Sequence, residues 1–179
     1  NAAGLGSNFT NVCQTGNYKL WKCASLVAQG AAGQTAANDG TNLVNFLRGQ
    51  RGKEDIAGNA VVTDRLFRGR PNPPLGDSVN AAPVYVKKPP FRYADTGYNT
   101  FASDNATRQA VVFVAANDGM LHAFNADNGN ELWAYVPTPV MSELWRLADN
   151  NYDVGHRYFV DATPVVGDVF DGTNWRTIL

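Results

Sequence analysis

A mainly β protein is what this 179-residue sequence predicts, and three observations carry the prediction. Residues 111–137, VVFVAANDGMLHAFNADNGNELWAYVP, hold three apolar runs separated by two clusters rich in Asn, Asp and Gly. Runs bounded so closely by turn-forming residues fold as consecutive antiparallel strands. NAAPVYV at residues 80–86 is echoed by DATPVVG at residues 161–167, and the meander closes on a tryptophan, Trp133. A repeated four-stranded meander is the unit of a β-propeller. The expected architecture is therefore a partial propeller of four-stranded antiparallel blades, with short helices and long inserted loops.

Residues 1–40 are rich in Ala, Gly, Asn and Thr. GAAGQTAANDG offers little to bury, so this part is expected to be a loop-rich lead-in. Within it, Cys13 and Cys23 flank a short stretch with TGN to turn it back. The spacing favours a disulfide, which stabilises by somewhat under ~3 kcal/mol in the chain-entropy model. That bond implies a compartment outside the cytosol; two free thiols are the alternative.

Residues 41–179 are expected to form the first part of the propeller. TNLVNFLRGQ opens it with a short helix, Thr41 as N-cap, Leu43, Phe46 and Leu47 on one face, and Gly49 as the stop. Pro71, Pro73 and Pro74 predict an extended path. Residues 77–80 suit a turn, and APVYV a short strand ended by Lys87, Lys88, Pro89 and Pro90. RYADTGYNTFASDNATRQ is expected as a long loop.

Residues 110–116 and 120–125 then predict a hairpin turning at Asn117, Asp118 and Gly119, all tolerant of positive φ. A second turn at residues 127–130, with Gly129, leads into a strand at 131–136. PVMSELWRLADN places Met141, Leu144, Trp145 and Ala148 on a helical face. After DATPVVG, WRTIL starts another strand. One blade and a fraction cannot close a ring, so either a piece of a longer protein or a cut edge covered by something else is expected, and the end at Leu179 in mid-strand favours the first.

The net charge of −1 argues against a general grip on nucleic acid or anionic lipid. No apolar run approaches the roughly 18–20 residues that span a bilayer. His122 and His156 lack a nucleophile partner at a convincing spacing and read as packing or hydrogen-bonding residues. Asp118 could act as acid or base, yet turn chemistry accounts for it. Asp168 and Asp171 are the candidates for calcium, but two carboxylates fall short of the about six to eight oxygens a hard cation takes. The alternative is that they flank a surface turn. Arg48, Arg51, Arg68 and Arg70 could face a partner, although such residues are more often solvated or paired. NFT at Asn8 and NAT at Asn105 match the N-glycosylation triplet.

FNADNGNELWAYVP resembles the tryptophan-docking repeat of quinoprotein-type propellers, with Gly129 and Trp133 matching and Asn125 and Asn128 departing. There the indole covers the next blade and is structural. The order of LVNFLRGQ, FRGRPNPPLGDSVNAAPVYV, the 111–137 block, YFVDATPVVGDVF and NWRTIL resembles the C-terminal propeller of type IV pilus tip proteins (PilY/PilC-type) over residues 41–179. The resemblance implies a non-enzymatic, extracellular protein at the pilus tip or outer-membrane surface. It implies a role in adhesion, pilus assembly and control of retraction. Pilins or minor pilins and a host or abiotic surface are the implied partners, with no cofactor in this segment and family calcium beyond Leu179. A quinone-dependent dehydrogenase propeller and an outer-membrane assembly scaffold are the alternatives. The first needs a catalytic Asp and bound quinone; the second lacks the LVNFLRGQ helix.

Overall fold

In a computed structural model, which describes residues 2–70 and 75–179, the chain forms two compact units, Asn1–Gly76 with Pro137–Tyr158, and Asp77–Val136 with Phe159–Leu179. More residues lie in helices than in strands, because the first unit is largely helical. The mainly-β expectation thus describes the second unit, and the described residues form no closed ring of blades. Pro71, Pro73 and Pro74 fall outside the described residues.

In the first unit, α1 (Ala2–Gly6) leads to a two-stranded hairpin, β1 (Cys13–Gln14) and β2 (Asn17–Tyr18), turning at Gly16 with φ 85°. α2 (Cys23–Ala28), α3 (Ala31–Asn38) and α4 (Gly40–Leu47) follow. Cys13 and Cys23 are joined as a disulfide with Cα atoms 5.1 Å apart, as the spacing favours.

The stretch expected as loop is thus mostly helix, and its small residues explain why. A Cβ on Gly33 would lie 3.1 Å from Leu26 O, so α3 lies close against α2. Its far end is tied to the hairpin: Cys13 N donates to Asn38 Oδ1 at 2.7 Å, and Gln34 Nε2 donates to Cys13 O at 2.9 Å. The N-cap of α4 is Asp39 rather than Thr41. Its carboxylate accepts from Thr41 N at 2.9 Å, satisfying one orphan donor of the first turn. Leu43, Val44 and Phe46 form the buried face, with Val44 in place of the expected Leu47. Gly49, at φ 92°, ends the helix as expected.

Residues 137–158 belong to this unit. Thr138–Met141 is one helical turn and Leu144–Ala148 a 3-10 helix. The tighter pitch buries Leu144, Leu147 and Ala148, so the expected α-helical face through Met141 and Trp145 is replaced by this set. Arg68 anchors the segment, donating from N to Ala148 O at 3.0 Å and from Nε to Leu147 O at 2.6 Å.

The second unit holds a four-stranded antiparallel sheet: β3 (Val84–Val86), β4 (Val111–Ala116), β5 (Met120–Asn125) and β6 (Glu131–Tyr135), in that spatial order. This is the meander read from the sequence. Val112 pairs with Phe124 and Val114 with His122. Both turns use one glycine each at positive φ, Gly119 (88°) and Gly129 (75°). No described non-glycine residue has positive φ, so Asn117 and Asp118 serve the turn in another way. The expected long loop after β3 contains a helix, α5 (Tyr98–Asp104), which starts after Gly97 at φ 82°. A last hairpin, β7 (Gly167–Phe170) and β8 (Trp175–Ile178), begins the second unit of the repeat.

The two copies of the repeated motif touch at equivalent positions. Asp161 Oδ1 accepts from Asn80 N at 2.9 Å and Oδ2 from Asn80 Nδ2 at 2.6 Å, across 81 residues. Thr163 Oγ1 accepts from Ala82 N at 2.9 Å, again across 81 residues. Contact between equivalent positions is what rotational stacking of successive blades produces.

Candidate functional site

Three polar clusters stand out, and sequence reasoning locates parts of each. In the first unit, Glu54 is fully buried. Its Oε1 accepts from Arg70 Nε (2.9 Å) and Nη2 (2.7 Å); its Oε2 accepts from Arg70 N (3.1 Å) and Arg51 Nε (3.2 Å). The Arg70 guanidinium lies 3.7 Å from the Phe46 ring centroid and donates from Nη1 to Phe46 O at 2.6 Å. Burial opposes ionisation of Glu54, but Arg70 and then Arg51 outweigh it and hold the carboxyl below its usual range. Arg51, Arg68 and Arg70 therefore serve the interior of this unit. Arg68 also lies over the Tyr152 ring at 4.4 Å, while Arg48 is exposed.

In the second unit, His122 is buried on β5 between two carboxylates. Its Nδ1 lies 2.6 Å from Glu131 Oε1 and its Nε2 3.0 Å from Asp118 Oδ2, and both nitrogens donate when the ring is protonated. Desolvation disfavours the imidazolium, but Asp118 and Glu131 together win and raise its pKa above 6.5. Asp118 also accepts from Met120 N at 3.2 Å, so it is a turn residue and a histidine partner at once. The two carboxylates bond opposite ring nitrogens and do not converge with the imidazole on one point. Among the described residues no group of three or more His, Cys, Asp or Glu is placed to hold a metal ion.

Asn117 is buried and acts as a latch. Its N and Nδ2 donate to Asp77 O (2.9 Å) and Oδ2 (3.1 Å), and its Oδ1 accepts from Phe159 N (3.0 Å). His156 lies among aromatic rings, 5.4 Å from Tyr152 and 5.3 Å from Tyr158. Asn8 and Asn105 donate to Leu5 O and Phe101 O, local helix-end bonds.

The third cluster surrounds Asp168. It is buried, and Tyr98 Oη donates to its Oδ2 at 2.8 Å while Thr177 Oγ1 donates to its Oδ1 at 2.7 Å. Arg108 Nη1 donates to Thr177 Oγ1 at 2.8 Å, extending the chain of bonds. Burial, followed by the Asp168 hydrogen bond and charge, pushes the Tyr98 phenol up to about 12. Asp171 has other partners. Its Oδ1 accepts from Thr173 N (2.9 Å) and Asn174 N (2.8 Å), and its Oδ2 pairs with Arg176. Asp171 therefore builds the β7–β8 turn, whereas Asp168 binds α5 to the hairpin, and among the described residues the two carboxylates share no hydrogen-bond partner.

Trp133 is 46% exposed, and the ring it meets, Phe113 at 5.6 Å, lies on its own sheet. The expectation that this indole shields a neighbouring blade is not met within this chain. All five residues of β6, an edge strand of the sheet, are exposed.

A four-stranded meander, followed by a hairpin whose leading motif bonds to its counterpart in the first, defines a β-propeller-type domain. The chain belongs to the PilY1 beta-propeller domain family, which matches residues 75–179. It is 40% identical over 156 residues to a type IV pilus biogenesis factor PilY1 homolog of Xylella fastidiosa, covering 82% of this chain and 12% of that protein. It is likewise 40% identical over 152 residues to the type IV pilus biogenesis factor PilY1 of Pseudomonas aeruginosa strain PAK, covering 80% of this chain and 12% of that protein. The chain thus spans about 12% of the length of these relatives. No solved structure matches it.

Proposed function

We propose that this chain is a segment of a non-enzymatic protein of the type IV pilus system, acting in pilus assembly and in adhesion at the pilus tip. The observation that carries the reading is the 40% identity, over 82% of the chain, to a protein named as a pilus biogenesis factor. The geometry supports a scaffold role: the prominent carboxylates, Glu54, Asp118 and Asp168, are engaged in bonds that hold elements together. The proposed partners are pilins or minor pilins and a surface ligand, at an extracellular or outer-membrane location. Among the described residues no helix is long and apolar enough to cross a membrane. Calcium, where the family's propeller uses it, is proposed to bind outside this segment.

The test compares the full-length protein with a version lacking residues 75–179, each expressed in a pilus-bearing cell deleted for the native protein. Surface pili and co-purifying pilins are then measured. Loss of both supports the reading; undiminished piliation and pilin capture would overturn it. Oxidation of alcohols by the purified protein with added quinone and calcium would overturn the non-enzymatic part.

A further inference from the structure

A cleft of about 1040 Å³ opens on the second unit between α5 and the β7–β8 hairpin. Aromatic rings line much of it. Tyr93 and Trp175 stack with centroids 5.6 Å apart and planes 15° from parallel, and Phe170 lies 5.8 Å from Trp175. Phe101 contributes from the helix side.

The aromatic wall is held in place. Trp175 Nε1 donates to Thr96 O at 3.0 Å, and Tyr98 meets the indole edge-on at 4.8 Å. Tyr98 is itself anchored by Asp168. Yet Phe170 keeps 53% of its surface exposed, so the wall is fixed without being covered.

Asp95 and Asp104 also line the cleft, and both are exposed. Among the described residues neither carboxylate is held in an ion pair, and no Lys, Arg or His lines the cleft. Asp168 adds negative charge from beneath, although its oxygens are taken by Tyr98 and Thr177. Asp104 is the last residue of α5, at the negative end of the helix dipole.

We propose that this cleft binds a cationic side chain, a lysine ammonium or an arginine guanidinium presented by a protein partner. A cation over an aromatic face is attracted by the ring quadrupole. The apolar stem of such a side chain covers the exposed ring surface while its head stays wet near the carboxylates. A neutral sugar would use the rings and leave the charge unanswered; an anion would be repelled. The chemistry of the cleft does not depend on the pilus reading.

The test is a ¹H–¹⁵N NMR titration of the 179-residue chain with Nα-acetyl-lysine-methylamide, with the norleucine analogue and a methyl glucoside as neutral probes. The Trp175 indole cross-peak, assigned with Trp175→Phe, is expected to shift saturably with the lysine probe alone. Asp95→Asn and Asp104→Asn, both at exposed sites, are expected to weaken binding about 2- to 5-fold each. Raising the salt to about 1 M, where the screening length is about 3 Å, is expected to weaken it further. An equal shift with norleucine would mean a plain apolar groove, and a shift with the glucoside alone a sugar site. Either outcome overturns the proposal, as does the absence of any saturable shift.

Discussion

Replacing Glu54 by alanine is expected to destabilise the first unit by about 3–5 kcal/mol, the cost of breaking a buried ion pair from one side. The carboxylate is fully buried and accepts four bonds from Arg70 and Arg51. Its removal leaves the Arg70 side chain, itself only 7% exposed, without its counter-charge. Arg70 would keep Phe46 O, Gln50 O and the Phe46 ring, which favours the lower end of that range. Because the chain has two units, a single global unfolding curve would blur the effect. Hydrogen exchange of the α4 amides, which lie beside the pair, reads it directly. A loss of about 3–5 kcal/mol corresponds to a fall in protection of about two to four orders of magnitude. The double variant Glu54→Met/Arg70→Met should fall much less, since the buried Arg70 charge is removed together with its partner, and Arg51 is 34% exposed. Unchanged α4 protection in Glu54→Ala, or a double variant worse than it, would refute the reasoning. Acid should act in the same direction. The Glu54 pKa is depressed, so its contribution is present above about 4.5 and is lost as pH falls through the lower folded value.

His122 has the opposite sign. Its raised pKa means that its contribution is full below 6.5 and is lost as pH rises through the folded value; NMR of the ring proton should place that value above 6.5, and Glu131→Gln should lower it. Gly40→Ala is expected to cost more than about 3 kcal/mol, because the new Cβ would lie 1.8 Å from Gly6 O and α1 must move; α4 exchange and the thermal midpoint check this. Cys13→Ala/Cys23→Ala should lower stability by up to about 3 kcal/mol in urea titration, with β1–β2 exchanging fastest. Tyr98→Phe should remove the tyrosine titrating near 12 from the alkaline absorbance curve and leave Asp168 short of a donor, at about 1–3 kcal/mol.

The meander is legible in the sequence because its cues are local. Alternating apolar runs and the glycines at 119 and 129 determine strands, turns and order over about 30 residues. The echo of residues 80–84 at 161–165 is legible for the same reason, since similarity needs no knowledge of contacts. What stays hidden depends on partners far along the chain. α5 resembles a loop in sequence because Tyr98 is buried by Asp168, 70 residues away, and by Trp175 beyond it. α3 has no apolar stripe; it stands on close approach to α2 and on side-chain amides tied to Cys13. Glu54 looks like one charge among many, because its value depends on Arg70 returning from 16 residues on. Asn117 fits a turn so well that its other role, bonding both Asp77 and Phe159, leaves no trace in local pattern.

The bonds between residues 79–82 and Asp161 and Thr163 run one way: N–H groups of the earlier segment donate, and side-chain oxygens of the later segment accept. A ribosome delivers the earlier amides first, and they remain hydrated until some 81 further residues emerge. The fastening therefore travels backward along the nascent polypeptide. A truncated product that stops short of Asp161 would carry every strand of the first sheet, yet its threshold would hang open.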